Sequence, residues 1–327
     1  MNNKVSMKNQ IIKTTSSDLT PAENHPAIVS NAGDAARFAY DEFVYGAISN
    51  HHTRRAYRRA VDKFLLWCGD IKLHEIVPRH VRQFMDKSQG SPASKKLYLS
   101  AIRHFFDIQV TRHAVILNPA LSVRGERYQV IEGKTPEITT PQAHQLLQSI
   151  DGATLVNRRD KAIVGILIYT AARIGAVAKL QVKDFYHSGE QYCLRFAEKG
   201  GKSREIPIRH SLELYIMDYM ADAGITVCNE ALPFFQTSFG TTKRFTGRGM
   251  TDNDMQRMVK RRMKDAGLPA RLSAHSFRSG TATDLLEQGV SREDVQYLLG
   301  HADPRTTNLY DRRKRKVTRN IVERISV

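Results

Sequence analysis

Apolar residues recur every three or four positions across residues 41–128, and this period predicts amphipathic helices. The segment SNHHTRRAYRRAVDKFLLWC, residues 49–68, follows the period behind a predicted N-cap at Thr53. The segment SPASKKLYLSAIRHFFDIQV, residues 91–110, follows it with Pro92 in the first helical turn. The predicted apolar faces consist of Tyr57, Val61, Phe64, Leu65 and Cys68 in the first helix and Leu97, Ala101 and Phe105 in the second.

The regions on either side of these helices lack a clear period. Residues 1–40 are polar and rich in Ser, Thr and Asn, which predicts a flexible tail with a short helix near DAARFAYDEFVYGAI. Residues 129–138 lie within VRGERYQVIEGKTPEITTPQ, whose Gly, Pro, Thr and charged residues predict a linker. A second domain follows over residues 139–327, and its first helix has Thr140 as predicted N-cap and Pro141 at its first position.

The segment DKAIVGILIYTAARIGAVAKL, residues 160–180, is almost entirely apolar and predicts a buried helix. Arg173 interrupts it. An unpaired guanidinium in an apolar interior is strongly destabilising. We therefore expect Arg173 either to meet a partner carboxylate or to line a cleft that receives an anion.

The segment QYCLRFAEKGGKSREIPI, residues 191–208, predicts a β-hairpin. Apolar and polar residues alternate before a Gly-Gly pair, and a second strand-like stretch follows the pair. Lys199 and Lys202 flank the glycines and fall near the predicted tip. Lysines at hairpin tips are usually solvated, so the hairpin alone leaves a site role for them open.

The segment LSAHSFRSGTATDLL, residues 272–286, predicts a helix capped by Ser273. His275 and Arg278 are three residues apart in its first turns, so they lie on the same side. A helix N-terminus already favours anions. The pair therefore predicts a phosphate or carboxylate site, and the alternative is an exposed polar helix start.

The last 40 residues contain clear signals for the starts and ends of helices. Helices are predicted to end at Gly289 and Gly300, and Ser291 is the predicted cap between them. His301 follows the second helix end, Asp303 and Pro304 predict another helix start, and Tyr310 falls about two turns into that helix. A last, very basic helix carries an apolar stripe formed by Val317, Ile321, Val322 and Ile325.

The net charge of the chain indicates what kind of molecule it binds. The 327 residues carry a formal net charge of +17, which predicts a polyanionic partner, nucleic acid first and an anionic membrane surface second. The sequence has no long uncharged apolar run and its N-terminus is polar, so neither a membrane span nor a signal peptide is expected. The candidate DNA contacts, with plain solvation as the alternative, are Arg54, Arg58, Lys95, Lys96 and Arg103.

Familiar cofactor and metal motifs do not occur in the sequence. Cys68, Cys193 and Cys228 are far apart and form no CxxC pair, so we expect small buried or idle residues of a reducing compartment. The chain also lacks HExxH, a Walker A loop and GxGxxG. We therefore expect no cofactor and no metal.

The order of the chemically distinctive residues resembles that of the tyrosine recombinase, or phage integrase, family over about residues 45–327. TAARIGAVAKL resembles the family's first arginine box and EKGGKSREIPI its lysine hairpin, and HSFR followed by LLGHADPRTTNLY has the family's spacing. Ala176 stands where many members have an acid, and Ser279 where a His is common. The resemblance implies a mostly α fold with a small β-hairpin or sheet, in which a helical SAM-like core-DNA-binding domain precedes a mixed α+β catalytic domain.

The resemblance also implies a chemistry for six positions. Tyr310 attacks a DNA phosphodiester and forms a 3′-phosphotyrosyl intermediate. Arg173 and Arg278 hold the non-bridging oxygens, and His275 bonds a phosphate oxygen or takes the tyrosine proton. His301 donates a further hydrogen bond. The family pattern favours Lys199 over Lys202 as the general acid, and neither metal nor cofactor is needed.

The expected partners are double-stranded DNA recombination sites and other copies of the chain. The C-terminal helix is expected to dock on a neighbouring protomer, which gives a homotetramer on two DNA sites without membrane contact. The expected role is integration or excision of a mobile element in the bacterial cytoplasm, at the nucleoid. The alternatives are a type IB topoisomerase-like relaxing enzyme, a non-catalytic DNA-binding regulator and, as the weakest, a membrane-surface role for the basic helix.

Overall fold

The structure of the chain, a computed structural model, describes residues 25–126, 135–197, 203–226, 230–240, 244–301 and 303–308. These residues belong to two compact units, one within residues 1–129 and the other within residues 130–327. In the described ranges, no helix is long and apolar enough to cross a membrane.

The N-terminal unit is helical throughout its described part. Its helices pack around an aromatic core that includes Phe43, Phe64, Phe84, Phe105 and Phe106, all of them buried. The apolar stripes of the two longest helices are thereby confirmed, because their inward faces form this core. The helices are α1 (Ala27–Ser30), α2 (Asp34–Asp41) with a π-helical turn (Glu42–Gly46), α3 (His51–Cys68), a 3-10 turn (Leu73–Glu75), α4 (Pro78–Lys87) and α5 (Pro92–Thr111).

Two predictions for this unit were wrong in detail. The N-cap of α3 is Asn50, whose side chain accepts a hydrogen bond from the Thr53 N–H at 3.1 Å, so the helix starts one turn earlier than predicted. Helix α2 confirms the short helix predicted near DAARFAYDEFVYGAI, but the predicted flexible tail over residues 1–40 extends too far, because α1 and α2 pack into the core. Tyr40 is buried there and donates its hydroxyl to Asp62 of α3 at 2.6 Å.

In its described residues, the C-terminal unit combines helices with two small antiparallel sheets. One sheet has the order β1-β2-β3, and the other pairs β4 with β5. Its elements are α6 (Thr140–Gln148), α7 (Leu155–Thr170), α8 (Ile174–Val177), β1 (Phe185–His187), β2 (Tyr192–Ala197), β3 (Ser203–Pro207), α9 (His210–Ala223), β4 (Gln236–Ser238), β5 (Phe245–Gly249), α10 (Asp252–Asp265), α11 (Ala274–Glu287), α12 (Arg292–Leu299) and α13 (Pro304–Asn308).

Several local predictions for this unit are confirmed. β2 and β3 pair as a hairpin, with Phe196 opposite Arg204, and the five residues between them lie outside the described ranges. Ser273 and Ser291 are N-caps, and Gly300 ends α12 in a left-handed conformation with φ 61°. The cap of α6 is Thr139 rather than Thr140, because Thr139 completes a capping box with Gln142.

The predicted buried helix through residues 160–180 is two helices with a break between them. Helix α7 ends at Thr170, and Ala171 takes a left-handed conformation with φ 49°. Arg173 then precedes α8 in an extended conformation and is exposed. The predicted buried helix is confirmed up to Thr170, and its continuation to residue 180 was wrong. Because of the break, Arg173 does not lie inside an apolar helix.

Several predictions concern residues that lie wholly or partly outside the described ranges. The predicted linker, residues 129–138, is described only from residue 135, and the predicted C-terminal helix is not described. Cys68 and Cys193 are buried, as predicted, and Cys228 lies outside the described ranges.

Candidate active site

Arg278 of α11 is the centre of the candidate site, and only 1% of it is exposed. Its guanidinium donates hydrogen bonds to the Ala171 carbonyl through Nη1 and to the Leu299 carbonyl, at 2.7 Å, through Nη2. Nη2 also donates to Nε2 of His301 at 2.9 Å. These contacts fix the planar guanidinium on more than one side, so the cation is held in place before any substrate arrives.

Both carbonyls come from helix ends, and this explains why they are available. The last carbonyls of an α-helix have no intrahelical partner and carry the negative end of the helix dipole. α7 ends just before Ala171, and α12 ends at Leu299. The break in residues 160–180 and the stop at Gly300 therefore both contribute acceptors that stabilise a buried cation.

His301 lies directly after α12 and is buried, with 8% of its surface exposed. Because an arginine N–H can only donate, His301 Nε2 must be the acceptor toward Arg278. The proton is then on Nδ1, which lies 3.0 Å from Thr307 Oγ1 and can donate to it. The family resemblance implies that His301 donates a further hydrogen bond. In the described arrangement Nε2 accepts from Arg278, and the role of His301 as a donor to the substrate stays a prediction.

The charges around His301 agree with this neutral tautomer. Burial, followed by the positive charges of Arg278, Arg173 and Arg204, together lower the pKa of His301 from 6.5 to about 3. His301 is therefore uncharged at neutral pH and orients Arg278 without competing with it for an anion.

Acid is expected to destabilise the protein through His301. The unfolded chain takes up a proton near pH 6.5 and the folded chain only near pH 3, so stability falls as the pH falls through this window. Between pH 7 and pH 5 the loss is about 2 kcal/mol of unfolding free energy. Denaturant unfolding at both pH values checks this, and His301→Asn is expected to lose that part of the pH dependence. Equal pH slopes in the two proteins would contradict the assignment.

Arg173 and His275 complete the described part of the site. Arg173 Nη2 lies 3.5 Å from the Gly300 carbonyl, at the limit of a hydrogen bond, and the residue is otherwise exposed. Partial desolvation lowers the pKa of His275, and the charges of Arg278 and then Arg173 lower it further. Both arginines therefore lower the pKa of the same imidazole, that of His275. The structure brings together four predicted site residues, Arg173, His275, Arg278 and His301.

The remaining predicted catalytic residues are Lys199, Lys202 and Tyr310, and all three lie outside the described residues. The strands that flank both lysines are described, since β2 ends at Ala197 and β3 begins at Ser203. The roles of the two lysines and the tyrosine stay predictions.

Sequence reasoning missed Arg204, a buried arginine on β3. Its guanidinium lies 5.7 Å from the centre of the Phe196 ring, and its charge contributes to the lowered pKa of His301. Residues two apart on a strand share a face, so Arg204 lies on the same face as buried Ile206 and Ile208. That alternation was the signal that could have identified it as an inward-facing cation.

Four of the five candidate DNA contacts on α3 and α5 bond other residues of the N-terminal unit. Arg54 donates to the Ile48 carbonyl at 2.9 Å, and Arg58 pairs with Asp62 at 3.6 Å. Lys95 lies 3.8 Å from Glu126, and Lys96 is exposed.

The Arg103 side chain donates hydrogen bonds to two backbone carbonyls, those of Ala120 and Val123. It therefore holds the chain that follows α5, whatever else it contacts. DNA contact by all five residues stays a prediction.

Helix α10 has an exposed face that sequence reasoning also missed. Asn253, Gln256, Arg257 and Lys260 line one concave surface at helical spacing, while the opposite side of α10 is buried through its methionines. α10 packs against α8 and α11. Lys260 also donates to the Ala270 carbonyl at 2.8 Å, so it fixes the loop that leads into α11. The polar spacing at positions i, i+3, i+4 and i+7 was the available signal.

A helical unit followed by a helix-and-hairpin unit with this arginine centre is the fold of a tyrosine recombinase. The family description "Phage integrase family" matches residues 137–316, and "Phage integrase, N-terminal SAM-like domain" matches residues 40–113. The chain belongs to the phage integrase family and is a site-specific recombinase of the tyrosine class. The predicted family, the mostly helical fold class and the two-domain architecture are confirmed.

The chain is also similar to individual recombinases. Tyrosine recombinase XerD of Listeria monocytogenes is 28% identical over 69% of this chain and 74% of its own length. A lambda integrase tetramer bound to a Holliday junction superposes with a TM-score of 0.63 at 16% identity, over 93% of this chain and 86% of that one. The Tn1549 transposon integrase in complex with transposon right end DNA superposes equally well, with a TM-score of 0.63 at 16% identity over 90% of this chain and 100% of that one.

Proposed function

We propose that the protein cleaves and rejoins double-stranded DNA at specific sites through a 3′-phosphotyrosyl link to Tyr310, and that it integrates or excises a mobile element in the bacterial cytoplasm. The proposal rests on the Arg278 guanidinium, which is held by carbonyls at two helix ends and by His301. Arg173 and His275 lie close to it. Such a cluster is suited to the charge of a phosphodiester.

The first chemical step joins the Tyr310 oxygen to phosphorus and breaks the bond between phosphorus and the 5′-oxygen. The phenol has an ordinary pKa of about 10, so it needs a base. His275 serves as that base, because its lowered pKa leaves it neutral and able to accept the proton. Lys199, with Lys202 as the alternative, protonates the departing 5′-oxygen.

The arginines stabilise the transition state of this step. Negative charge grows on the non-bridging oxygens as the tyrosine adds to phosphorus. Arg173 and Arg278 donate to these oxygens, and prearranged donors of this type contribute about 3 kcal/mol each. The covalent intermediate retains the phosphodiester energy, so the reverse attack by a 5′-hydroxyl rejoins the strand.

A covalent adduct on DNA tests this proposal. Nicked duplexes from the ends of the element that carries the gene are mixed with purified protein in EDTA and run on a denaturing gel. We expect a protein–DNA adduct in the chelator, because the charge stabilisation comes from guanidinium groups. Tight binding without an adduct would support a DNA-binding regulator, and relaxation of supercoiled DNA without recombinant junctions would support a topoisomerase-like enzyme.

We propose further that four copies assemble on two DNA sites by exchange of the C-terminal segment. A groove on the C-terminal unit supports this. Its lining includes the apolar residues Ile206, Pro207, Leu285 and Leu298 and the acidic residues Glu205 and Asp294. The segment after Tyr310 has the complementary character, since it is strongly basic and its apolar residues recur at helical spacing.

An aspartate in this contact is expected to block assembly. Ile321→Asp on the segment and Leu298→Asp in the groove should each keep binding to a single site but lose four-copy complexes on paired sites, because each places a charge in an apolar contact. Native gels and light scattering check the result. Thr318→Asp, off the apolar stripe, is the control. Unchanged assembly in both Ile321→Asp and Leu298→Asp would contradict the exchange.

A further inference from the structure

Residues Glu137–Thr140 lie along α11, the helix that carries His275 and Arg278. The Ile138 N–H donates to the Ser276 carbonyl at 3.3 Å, and the Ile138 side chain is buried in the core of the C-terminal unit. This contact joins the segment to the first turn of α11.

Two side-chain contacts extend the attachment along the helix. Thr283 donates its hydroxyl to Glu137 Oε2 at 3.0 Å. Thr140 donates to Asp284 Oδ1 at 3.4 Å. The segment is therefore bonded to α11 at two levels, one at Ser276 and one about two turns later.

Gly280, between these levels, allows the two backbones to approach. A Cβ at residue 280 would collide with the Ile138 carbonyl oxygen and would lie 3.1 Å from Ile138 Cγ2. Glycine is a poor helix former, and Gly280 stands in the middle of α11. The close approach to Ile138 gives a reason for a glycine at this position.

The bonded face of α11 lies opposite the face that bears Arg278. Successive helical residues are about 100° apart, so Gly280 and Arg278 are on nearly opposite sides of the axis. The Arg278 guanidinium must also meet fixed carbonyls at Ala171 and Leu299. A rotation of α11 about its axis would break these contacts.

We propose that Glu137–Thr140 is a positioning segment, which fixes the rotation of α11 and thereby the aim of Arg278 and His275 at the phosphate. The inference rests on the proposed function of the same site. The contacts described for its residues join them to α11 and to the core of the C-terminal unit, so the segment acts on the site through α11.

Four variants and a matched control test the positioning segment. Gly280→Ala removes the close approach, Glu137→Ala removes the acceptor for Thr283, and Thr283→Val removes the donor. Glu137→Gln keeps an oxygen that accepts from Thr283. The control is Glu287→Ala, which lies on the same helix at an exposed position.

The kinetic readout separates cleavage from binding. At saturating protein, we expect Gly280→Ala to form adduct on nicked DNA at least tenfold more slowly than wild type, with a DNA dissociation constant within twofold. Glu137→Ala and Thr283→Val should be slowed several-fold, and Glu137→Gln should recover most of the rate. Wild-type cleavage rates in Gly280→Ala and Glu137→Ala would overturn the inference. A folded Glu137→Gln variant that cleaves as slowly as Glu137→Ala would also overturn it.

An NMR titration of His275 gives a second readout without DNA. When α11 rotates, His275 should leave its partly buried position and move away from Arg173, so its pKa should rise toward its ordinary value in Glu137→Ala and stay unchanged in Glu287→Ala. An unchanged His275 titration in Glu137→Ala would overturn the inference. If wild type forms no adduct, the proposed function fails, and the His275 titration still decides whether the segment positions the helix.

Discussion

Tyr310→Phe is expected to abolish the covalent adduct on nicked DNA and all recombinant product. The change removes one oxygen, and that oxygen is the atom proposed to form the bond to phosphorus. The arginines and histidines proposed to hold the phosphate remain, so the DNA dissociation constant should stay within about twofold of wild type. A denaturing gel for the adduct and a gel shift for binding measure the two effects on the same substrate.

A second tyrosine serves as the control for this experiment. Tyr297 on α12 is exposed, with 72% of its surface accessible, so Tyr297→Phe should form adduct at the wild-type rate. An adduct that persists in Tyr310→Phe would show that another group attacks the phosphate. Loss of adduct together with loss of DNA binding would show that Tyr310 is needed for binding.

Arg278→Lys is expected to slow adduct formation by a factor of about 10² to 10³, the typical effect of removing one prearranged donor. Lysine retains the charge but not the planar fork, so it cannot bond the Ala171 and Leu299 carbonyls and also face a phosphate. Single-turnover cleavage at saturating protein measures the effect. Because the charge is retained, DNA affinity should change much less than the rate.

Arg271→Lys is the matched control, since Arg271 is an exposed arginine in the loop before α11. We expect wild-type cleavage from it. A cleavage rate for Arg278→Lys within a fewfold of wild type would mean that the charge at this position is sufficient and its geometry is not. Circular dichroism and thermal unfolding establish that Arg278→Lys is folded before its rate is compared.

Local sequence signals predicted the features that depend on a few neighbouring residues. Ser273 and Ser291 are caps because a serine precedes a helical apolar pattern, and the β2–β3 hairpin follows from alternation on both sides of Gly-Gly. The order of Arg173, Lys199, His275, Arg278, His301 and Tyr310 indicated the family. The structure brings together four of them, Arg173, His275, Arg278 and His301.

Features that depend on tertiary contacts could not be predicted in this way. Periodicity cannot detect the left-handed conformation of Ala171, a non-glycine residue, so the break before Arg173 was missed. Asn50 and Thr53 are both good N-caps one turn apart, and their chemistry does not distinguish them. The inward position of Arg204 was missed because charged residues are rarely buried.

The carbonyl acceptors around Arg278 bear on how this enzyme tolerates mutation. A carboxylate that neutralises a catalytic arginine can be lost through a single codon change. The carbonyls of Ala171 and Leu299 belong to the backbone, and every amino acid supplies them. In a saturation mutagenesis library, substitutions at position 171 that leave the backbone conformation unchanged should therefore keep the hydrogen bond to Arg278. Substitutions that change the backbone conformation there should lose it.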